Sequence, residues 1–223
     1  METYKKEFIE FLAESQALQF GEFTLKSGRL SPYFVNTGLF DTGSQIATLG
    51  KFYADAIKNS YGEDFDIIYG PAYKGIPLAV AAVTALSEKH NIDKAYTFNR
   101  KEIKDHGDKK LFVGHQPLKN ERVIIIDDVI TDGGALVESA ELLEAINDLK
   151  FTGVILSVNR QEKTKDGQNA VENFEKKYNM PIKFIVTIGE IMEHLHNKKI
   201  KGEILLDDEK LSKIKKYLNE YGV

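Results

Sequence analysis

The chain contains no cysteine and no long apolar run, and both absences narrow its possible functions. Without cysteine there can be no disulfide, no thiolate nucleophile and no zinc site built on sulfur. No apolar stretch approaches the roughly 20 residues that a membrane-spanning helix needs. The formal net charge is -4, so no overall basic field favours nucleic acid. We therefore expect a cytoplasmic protein that binds neither membranes nor nucleic acid.

The 223 residues suit one large domain, or one domain with a small appendage. Short apolar segments typical of buried strands alternate with amphipathic segments typical of helices. This alternation predicts a mostly parallel α/β sheet with helices on both faces. Ligands of such sheets bind beyond the carboxyl ends of the strands. We therefore expect the chemistry at residues 70–75, from 99 onward, at 127–135 and at 159–160.

The apolar periodicity predicts the individual elements. Helices are predicted at residues 4–18, 42–60, 76–90, 135–149, 167–178, 191–197 and 209–220. Strands are predicted at 66–69, 95–99, 123–126, 154–158 and 182–187, with two more around the turn at Ser27 and Gly28. Residues 100–120 are rich in Lys, Asp, His and Gly, and we expect a long mobile loop there, with a hairpin within it as an alternative.

The most informative stretch is RVIIIDDVITDGGA, in which a buried strand runs into two adjacent acids. Asp127 and Asp128 follow the strand, and Gly133 and Gly134 precede a helix. Glycines let backbone amides turn toward a ligand, a helix start favours an anion, and Thr131 adds a hydroxyl. The loop therefore suits a phosphate that carries a sugar, with the acids on the ribose hydroxyls. The alternative is that Asp128 caps a turn and the glycines ease packing.

The same stretch resembles the phosphoribosyl pyrophosphate (PRPP) signature of the type I phosphoribosyltransferases. Within that family, the blocks FTLKSGRLSPYFVN, GPAYKGIP, FNRKEIKDHG and NRQE resemble the orotate phosphoribosyltransferases. The resemblance implies a mostly parallel sheet of about five strands with flanking helices, a core near residues 42–158 and a hood from about 1–41 and 159–200. It also implies transfer of phosphoribosyl from PRPP to orotate, giving orotidine 5′-monophosphate and pyrophosphate in pyrimidine biosynthesis.

The resemblance further implies roles for individual residues. The residues implied in catalysis are Lys26, Lys104, His106, Asp127 and Asp128. Contacts with PRPP are implied for Lys26, Tyr73, Lys74, Arg100, Lys101, Lys104, His106, Asp127, Asp128, Val129, Ile130, Thr131, Asp132, Gly133, Gly134 and Ala135. Contacts with orotate are implied for Lys26, Phe34, Val35, Thr131 and Arg160.

A magnesium cofactor and a homodimer are implied as well. Magnesium keeps its waters and binds through substrate phosphates, so no direct protein ligand is expected. The mobile loop Arg100–His106 would reach into the site of the neighbouring subunit, and its closure would exclude water.

The chain departs from the family pattern at three places. The usual T-A-G-T-A is replaced after Thr131, where Asp132 adds a negative charge and Gly134 lacks a hydroxyl. Val35 stands where relatives often have an aromatic residue, and Asn159 stands where an aspartate is common. These changes affect the expected affinity more than the expected reaction.

Two rival functions stay open at this point. The first is a phosphoribosyltransferase for another base, although Lys26, Arg29 and Arg160 together suit a carboxylated base. The second is a regulatory protein that kept the donor pocket and lost catalysis. The lysine and histidine loop argues against it, and the net charge gives no support to a regulator that binds nucleic acid. His194 and His196, two residues apart, are interpreted as surface histidines rather than metal ligands.

Overall fold

The computed structural model describes residues 1–25, 27–102, 111–146 and 148–223. Three of the predicted site residues, Lys26, Lys104 and His106, lie outside these ranges. Among the described residues, no helix has the length and apolar character that a membrane crossing requires.

Seven α-helices and ten β-strands form within those ranges. The helices are α1 Thr3–Glu14, α2 Gly43–Tyr61, α3 Gly75–His90, α4 Gly134–Glu144, α5 Ala170–Tyr178, α6 Ile188–Leu195 and α7 Asp208–Tyr221. The strands are β1 Leu18–Thr24, β2 Leu30–Val35, β3 Ile67–Tyr69, β4 Ala95–Asn99, β5 Phe112–Gly114, β6 Arg122–Val129, β7 Lys150–Asn159, β8 Ile182–Thr187, β9 Lys199–Ile200 and β10 Glu203–Ile204.

Six of these strands form the central sheet in the order β5-β4-β3-β6-β7-β8. All neighbours are parallel except β4 and β5, which are antiparallel. The predicted mostly parallel sheet is therefore confirmed. It has one strand more than expected, because β5 lies inside residues 100–120, which were predicted to be a loop. With only three residues, β5 is too short to show a periodic pattern.

Alternate residues of the strands enter two separate apolar cores, as expected for a sheet covered on both faces. Ile124 and Ile126 face the core formed with α1, α2 and α3. Val123 and Ile125 face the core formed with α4 and α5. Helices α2 and α3 approach closely at Gly50, where a Cβ atom would lie 2.5 Å from the carbonyl oxygen of Ala81.

A smaller layer is built from the antiparallel hairpin β1–β2 and from α7, which packs on β2. The predicted division of the chain needs one correction here. Strand β8 falls within 159–200, the part assigned to the hood, yet it pairs with β7 as an edge of the central sheet. Helix ends also differ from the prediction. Helix α4 ends at Glu144 rather than 149, and α5 begins at Ala170 because Asn169 caps it.

Candidate active site

The two adjacent acids lie at the carboxyl end of β6, which extends further than predicted and includes both of them. The hydroxyl of Tyr53 donates to the carbonyl oxygen of Asp127 at 2.8 Å. The hydroxyl of Ser157 donates to the carbonyl oxygen of Asp128 at 2.6 Å. These two bonds hold the backbone of the acid pair, so the carboxylates project from a fixed frame.

The carboxylate of Asp128 connects three parts of the chain. Its Oδ1 accepts the amide of Val129 at 2.8 Å. Its Oδ2 accepts both Nζ of Lys74 and Oγ1 of Thr37, each at 2.9 Å. Asp128 is only 7% exposed, so the pairing with a lysine compensates a carboxylate that has lost most of its water.

Asp127 has a different environment. Its Oδ1 accepts the amide of Asp128 at 2.9 Å. Burial raises the pKa of Asp127 to about 7, and the negative charge of Asp128 acts in the same direction, while Lys74 lowers this pKa. The first carboxyl therefore titrates near neutral pH, as groups at functional sites often do.

The loop after the acids turns at a glycine into a helix, as the sequence predicted. Gly133 has φ +84°, in the left-handed region that favours glycine, and α4 begins at Gly134. The side chain of Asp132 turns back on this loop, because its Oδ1 accepts the amide of Gly134 at 3.1 Å. The carboxylate of this extra acid therefore occupies an amide of the loop that the resemblance assigns to PRPP.

The turn between β3 and α3 carries Tyr73 and Lys74, and the peptide bond between Ala72 and Tyr73 is cis. Oδ1 of Asn99 accepts the amide of Ala72 at 3.0 Å and the hydroxyl of Tyr69 at 2.9 Å. Asn99 therefore ties the end of β4 to this turn. Its position at a strand end placed it where chemistry was expected, but sequence reasoning assigned it no role of its own.

Of the residues implied to contact PRPP, Lys101 lies beside this turn. The Nζ atom of Lys101 lies 5.4 Å from the ring centroid of Tyr73, whose side chain is largely exposed. Arg100 follows β4, and its amide donates to the carbonyl of Leu111. Nε of Arg100 is buried and has no hydrogen-bond partner within the part of the chain that the structure describes. Lys74 of this turn thus contacts the acid pair directly, and the Lys101 ammonium lies over the ring of the neighbouring Tyr73.

Of the predicted orotate residues, Phe34 and Val35 lie in β2, and Arg160 contacts Ser31 of the same strand. Phe34 stacks on Phe23 with ring centroids 5.5 Å apart, and Val35 is buried. Arg160 follows β7 and is 8% exposed. Its Nη2 donates to Glu162 at 2.7 Å and to Ser31 at 3.1 Å.

Two interpretations of single residues need correction. Arg29, grouped with the residues that suit a carboxylated base, donates to the carbonyl oxygens of Lys163 and Thr164 at 2.6 Å each, so it holds the hairpin against the segment after β7. The side chain of His194 is only 11% exposed, and its Nε2 lies 2.9 Å from Glu10. It therefore joins α6 to α1 and is not a surface histidine.

Sequence reasoning also missed Thr37 and Glu162. Nothing in the sequence marks Thr37, since the hydroxyl reaches Asp128 across 91 positions of the chain. Glu162 belongs to the NRQE block, but its buried contacts are with residues that are distant in the sequence, so the sequence alone does not reveal them.

Comparison with known proteins agrees with this geometry. The family model for the phosphoribosyl transferase domain matches residues 39–188. Orotate phosphoribosyltransferases of Clostridium botulinum (strain Alaska E43) and Shewanella oneidensis are 45% and 46% identical to this chain. Each match covers 100% of this chain and 99% of the relative. A crystal structure of orotate phosphoribosyltransferase from Francisella tularensis superposes with TM-score 0.83 at 45% identity, covering 97% of this chain and 100% of that one.

The parallel sheet, the acid pair and the glycine loop after it define a phosphoribosyltransferase. Within that class, the matches over the full chain are specific. The chain belongs to the orotate phosphoribosyltransferase family.

Proposed function

We propose that this chain transfers the 5-phosphoribosyl group of PRPP to orotate, giving orotidine 5′-monophosphate and pyrophosphate in pyrimidine biosynthesis. The observation that carries this function is the acid pair at the end of β6, with Lys74 on Asp128 and a glycine-started helix directly after it. This arrangement offers carboxylates for a sugar, amides for a phosphate and a cation for a leaving group.

Asp127 and Asp128 are assigned to the ribose hydroxyls of the donor. Residues 129–135 would surround the 5-phosphate, with the hydroxyl of Thr131 and the amide end of α4 as donors. The bond at ribose C1 breaks through a cation-like transition state. Two carboxylates fixed beside the ribose stabilise that positive charge electrostatically.

The leaving pyrophosphate is assigned to Lys74, Tyr73, Arg100 and Lys101, together with Lys104 and His106 of the loop outside the described residues. In the free protein Lys74 binds Asp128. When PRPP binds, its ribose hydroxyls would donate hydrogen bonds to the carboxylate of Asp128 in place of Lys74. Lys74 would then be available to bind the phosphate oxygens. The same turn therefore serves the sugar site before binding and the pyrophosphate site after it.

Orotate is assigned to Lys26, Phe34, Val35, Thr131 and Arg160. A planar guanidinium is well suited to a planar base that carries a carboxylate, because it can form two parallel hydrogen bonds. Arg160 lies at the carboxyl end of β7, next to β6 in the sheet, so the base and the ribose would meet at neighbouring strand ends.

The site residues fit a magnesium ion carried by the substrate. Magnesium keeps most of its waters and binds through substrate phosphates, so PRPP oxygens and water would supply most of its ligands. Bound magnesium would neutralise charge on the leaving pyrophosphate.

The protein would be a cytoplasmic homodimer in which the loop Arg100–His106 of one subunit reaches the site of the other. The main support for this dimer is the resemblance to the family. An apolar surface between α2 and α3, lined by Ile46, Ala47, Pro77, Val80 and Ala81, offers a face that a second subunit could cover.

The function is tested by mixing purified protein with PRPP, magnesium and orotate and following the loss of orotate absorbance. We expect loss that requires all three components. Adenine, hypoxanthine and uracil should each fail to replace orotate. Activity with one of those bases alone would favour a phosphoribosyltransferase for another base. Inactivity with all four bases, combined with PRPP binding, would favour a regulatory binding protein.

The loop assignment is tested by Lys104→Ala. Turnover should collapse while the circular dichroism spectrum keeps its folded form, because the lysine would neutralise pyrophosphate in the transition state. An unchanged rate would contradict the role given to the loop.

A further inference from the structure

A buried carboxylate lies directly behind the arginine assigned to orotate. The side chain of Glu162 is 11% exposed. Its Oε1 accepts Nη2 of Arg160 at 2.7 Å and the hydroxyl of Tyr33 at 2.6 Å, and its Oε2 accepts the hydroxyl of Tyr217 at 3.1 Å. Three donors on one carboxylate compensate its burial.

The contacts of the guanidinium are one-sided. Its Cζ lies 4.3 Å from the ring centroid of Tyr33, so one face rests on an aromatic ring. Both Glu162 and Ser31 bind the same nitrogen, Nη2. Within the part of the chain that the structure describes, no hydrogen bond is made to Nε or Nη1 of Arg160. Nη2 is thus held by the protein, and Nε and Nη1 keep their donors for a ligand.

Helix α7 fixes this arrangement from outside the sheet. The ring of Tyr217 meets that of Tyr33 edge to face, with centroids 6.2 Å apart. The end of α7 also binds the segment after Arg160, since the amide of Lys163 donates to the carbonyl of Tyr221 at 2.8 Å. Burial raises the pKa of Tyr33 well above its usual range and also raises the pKa of Tyr217, so both hydroxyls remain donors at neutral pH.

We propose that Glu162 is a positioning residue that holds the Arg160 guanidinium in the orientation that receives the orotate carboxylate, and that α7 supports it through Tyr217. This inference rests on the proposed function. An arginine side chain has many rotamers, and only some of them direct its remaining donors toward one ligand. Holding Nη2 in place selects one rotamer, with Nε and Nη1 left as donors, before the base arrives.

The sharpest variant is Tyr217→Phe, which removes one hydrogen bond and changes neither charge nor the packed ring. We expect KM for orotate to rise by about threefold to tenfold, the value of one hydrogen bond. KM for PRPP and kcat at saturating orotate should stay unchanged. Tyr221→Phe is the matched control, since that ring lies on the same helix and packs on Arg29, and among the described residues its hydroxyl makes no hydrogen bond to Glu162.

A second variant, Glu162→Gln, keeps the shape of the side chain and removes its charge. We expect KM for orotate to rise by about tenfold to a hundredfold, because a charge-assisted bond to Arg160 is weakened and the amide nitrogen cannot accept from Tyr217. A fall in that KM would overturn the inference, since Glu162 would then compete with orotate for the guanidinium.

A purely structural role gives a different pattern. Loss of folded protein lowers kcat and the melting temperature and leaves both KM values unchanged, and that result in both variants would overturn the inference. If Glu162→Gln does not fold, Tyr217→Phe decides alone. Wild-type protein that forms no orotidine 5′-monophosphate would contradict the proposed function itself, whereas active protein with unaltered orotate KM in Tyr217→Phe would contradict only this inference.

Discussion

Nζ of Lys74 lies 2.9 Å from Oδ2 of Asp128, so a lysine assigned to pyrophosphate binds, in the free protein, an acid assigned to ribose. The lysine side chain is 63% exposed and the aspartate side chain 10%. The pair can therefore open toward a ligand on the side of the lysine, while the acid stays fixed in β6. This relationship joins the two halves of the donor site before any donor is present.

The first prediction concerns Lys74→Met. We expect kcat to fall about a hundredfold, the usual effect of removing one group that stabilises charge in a transition state. Steady-state kinetics with PRPP and orotate measures it. Lys150→Met is the control, because Lys150 is exposed at the opposite, amino end of the sheet and should leave kcat unchanged. Equal losses in both variants would contradict the assignment.

The second prediction is a pH dependence. The pKa of Asp127 is raised to about 7, so this carboxyl is protonated below that pH and ionised above it. Because the ionised form binds ribose hydroxyls and stabilises the cation, kcat/KM for PRPP should rise with pH through about 7. Asp128→Asn removes a charge that raises this pKa, so the inflection should move to lower pH. An inflection that persists in Asp127→Asn would belong to another group.

The third prediction links the same carboxyl to stability. The folded-state pKa of Asp127 lies above the ordinary value of 3.8. As pH rises, the carboxyl therefore loses its proton at a lower pH in the unfolded chain than in the folded protein. This contribution to stability is therefore lost as pH rises from the ordinary value toward 7. Asp127→Asn avoids that loss, so its melting temperature should exceed that of the wild type by about 2 °C or more at pH 8. At pH 4 the difference should shrink, and a constant difference would contradict the buried titration.

The fourth prediction concerns Asp132, whose carboxylate accepts the amide of Gly134 in the loop assigned to the 5-phosphate. A phosphate must displace that carboxylate and tolerate its charge. Asp132→Ala should therefore lower KM for PRPP by about threefold to tenfold, with KM for orotate unchanged. Measuring KM for PRPP at low and high salt would separate the effect of the charge of Asp132 from that of loop geometry. If charge is responsible, the decrease in KM should be smaller at high salt. A raised KM would mean that the acid shapes the loop for the phosphate.

The sheet and the acid pair could be predicted from the sequence because both are local patterns. Residues 123–126 form an unbroken apolar run, and the acids and glycines follow in order. Strand β5 could not be predicted, since three residues give no period. Helix α4 ends before its apolar pattern does, and Ile146 and Leu149 beyond its end still pack on the same core.

The contacts that organise the site depend on tertiary structure and were beyond sequence reasoning. The bond from Thr37 to Asp128 and the bond from Tyr217 to Glu162 join residues 91 and 55 positions apart. Arg29 was misjudged for the same reason. An arginine in a motif suggests a ligand, whereas two backbone carbonyls supplied by a distant segment satisfy it here.

The central claim is that Asp127 and Asp128 bind the ribose of PRPP and support its transfer to orotate. It is tested most directly by quantifying orotidine 5′-monophosphate made by the wild type and by the double variant Asp127→Asn, Asp128→Asn, with folding checked by circular dichroism. We expect product from the wild type in equal amount to pyrophosphate, and kcat/KM for PRPP at least about a hundredfold lower in the folded double variant. Product formed by the double variant at the wild-type rate would contradict the account.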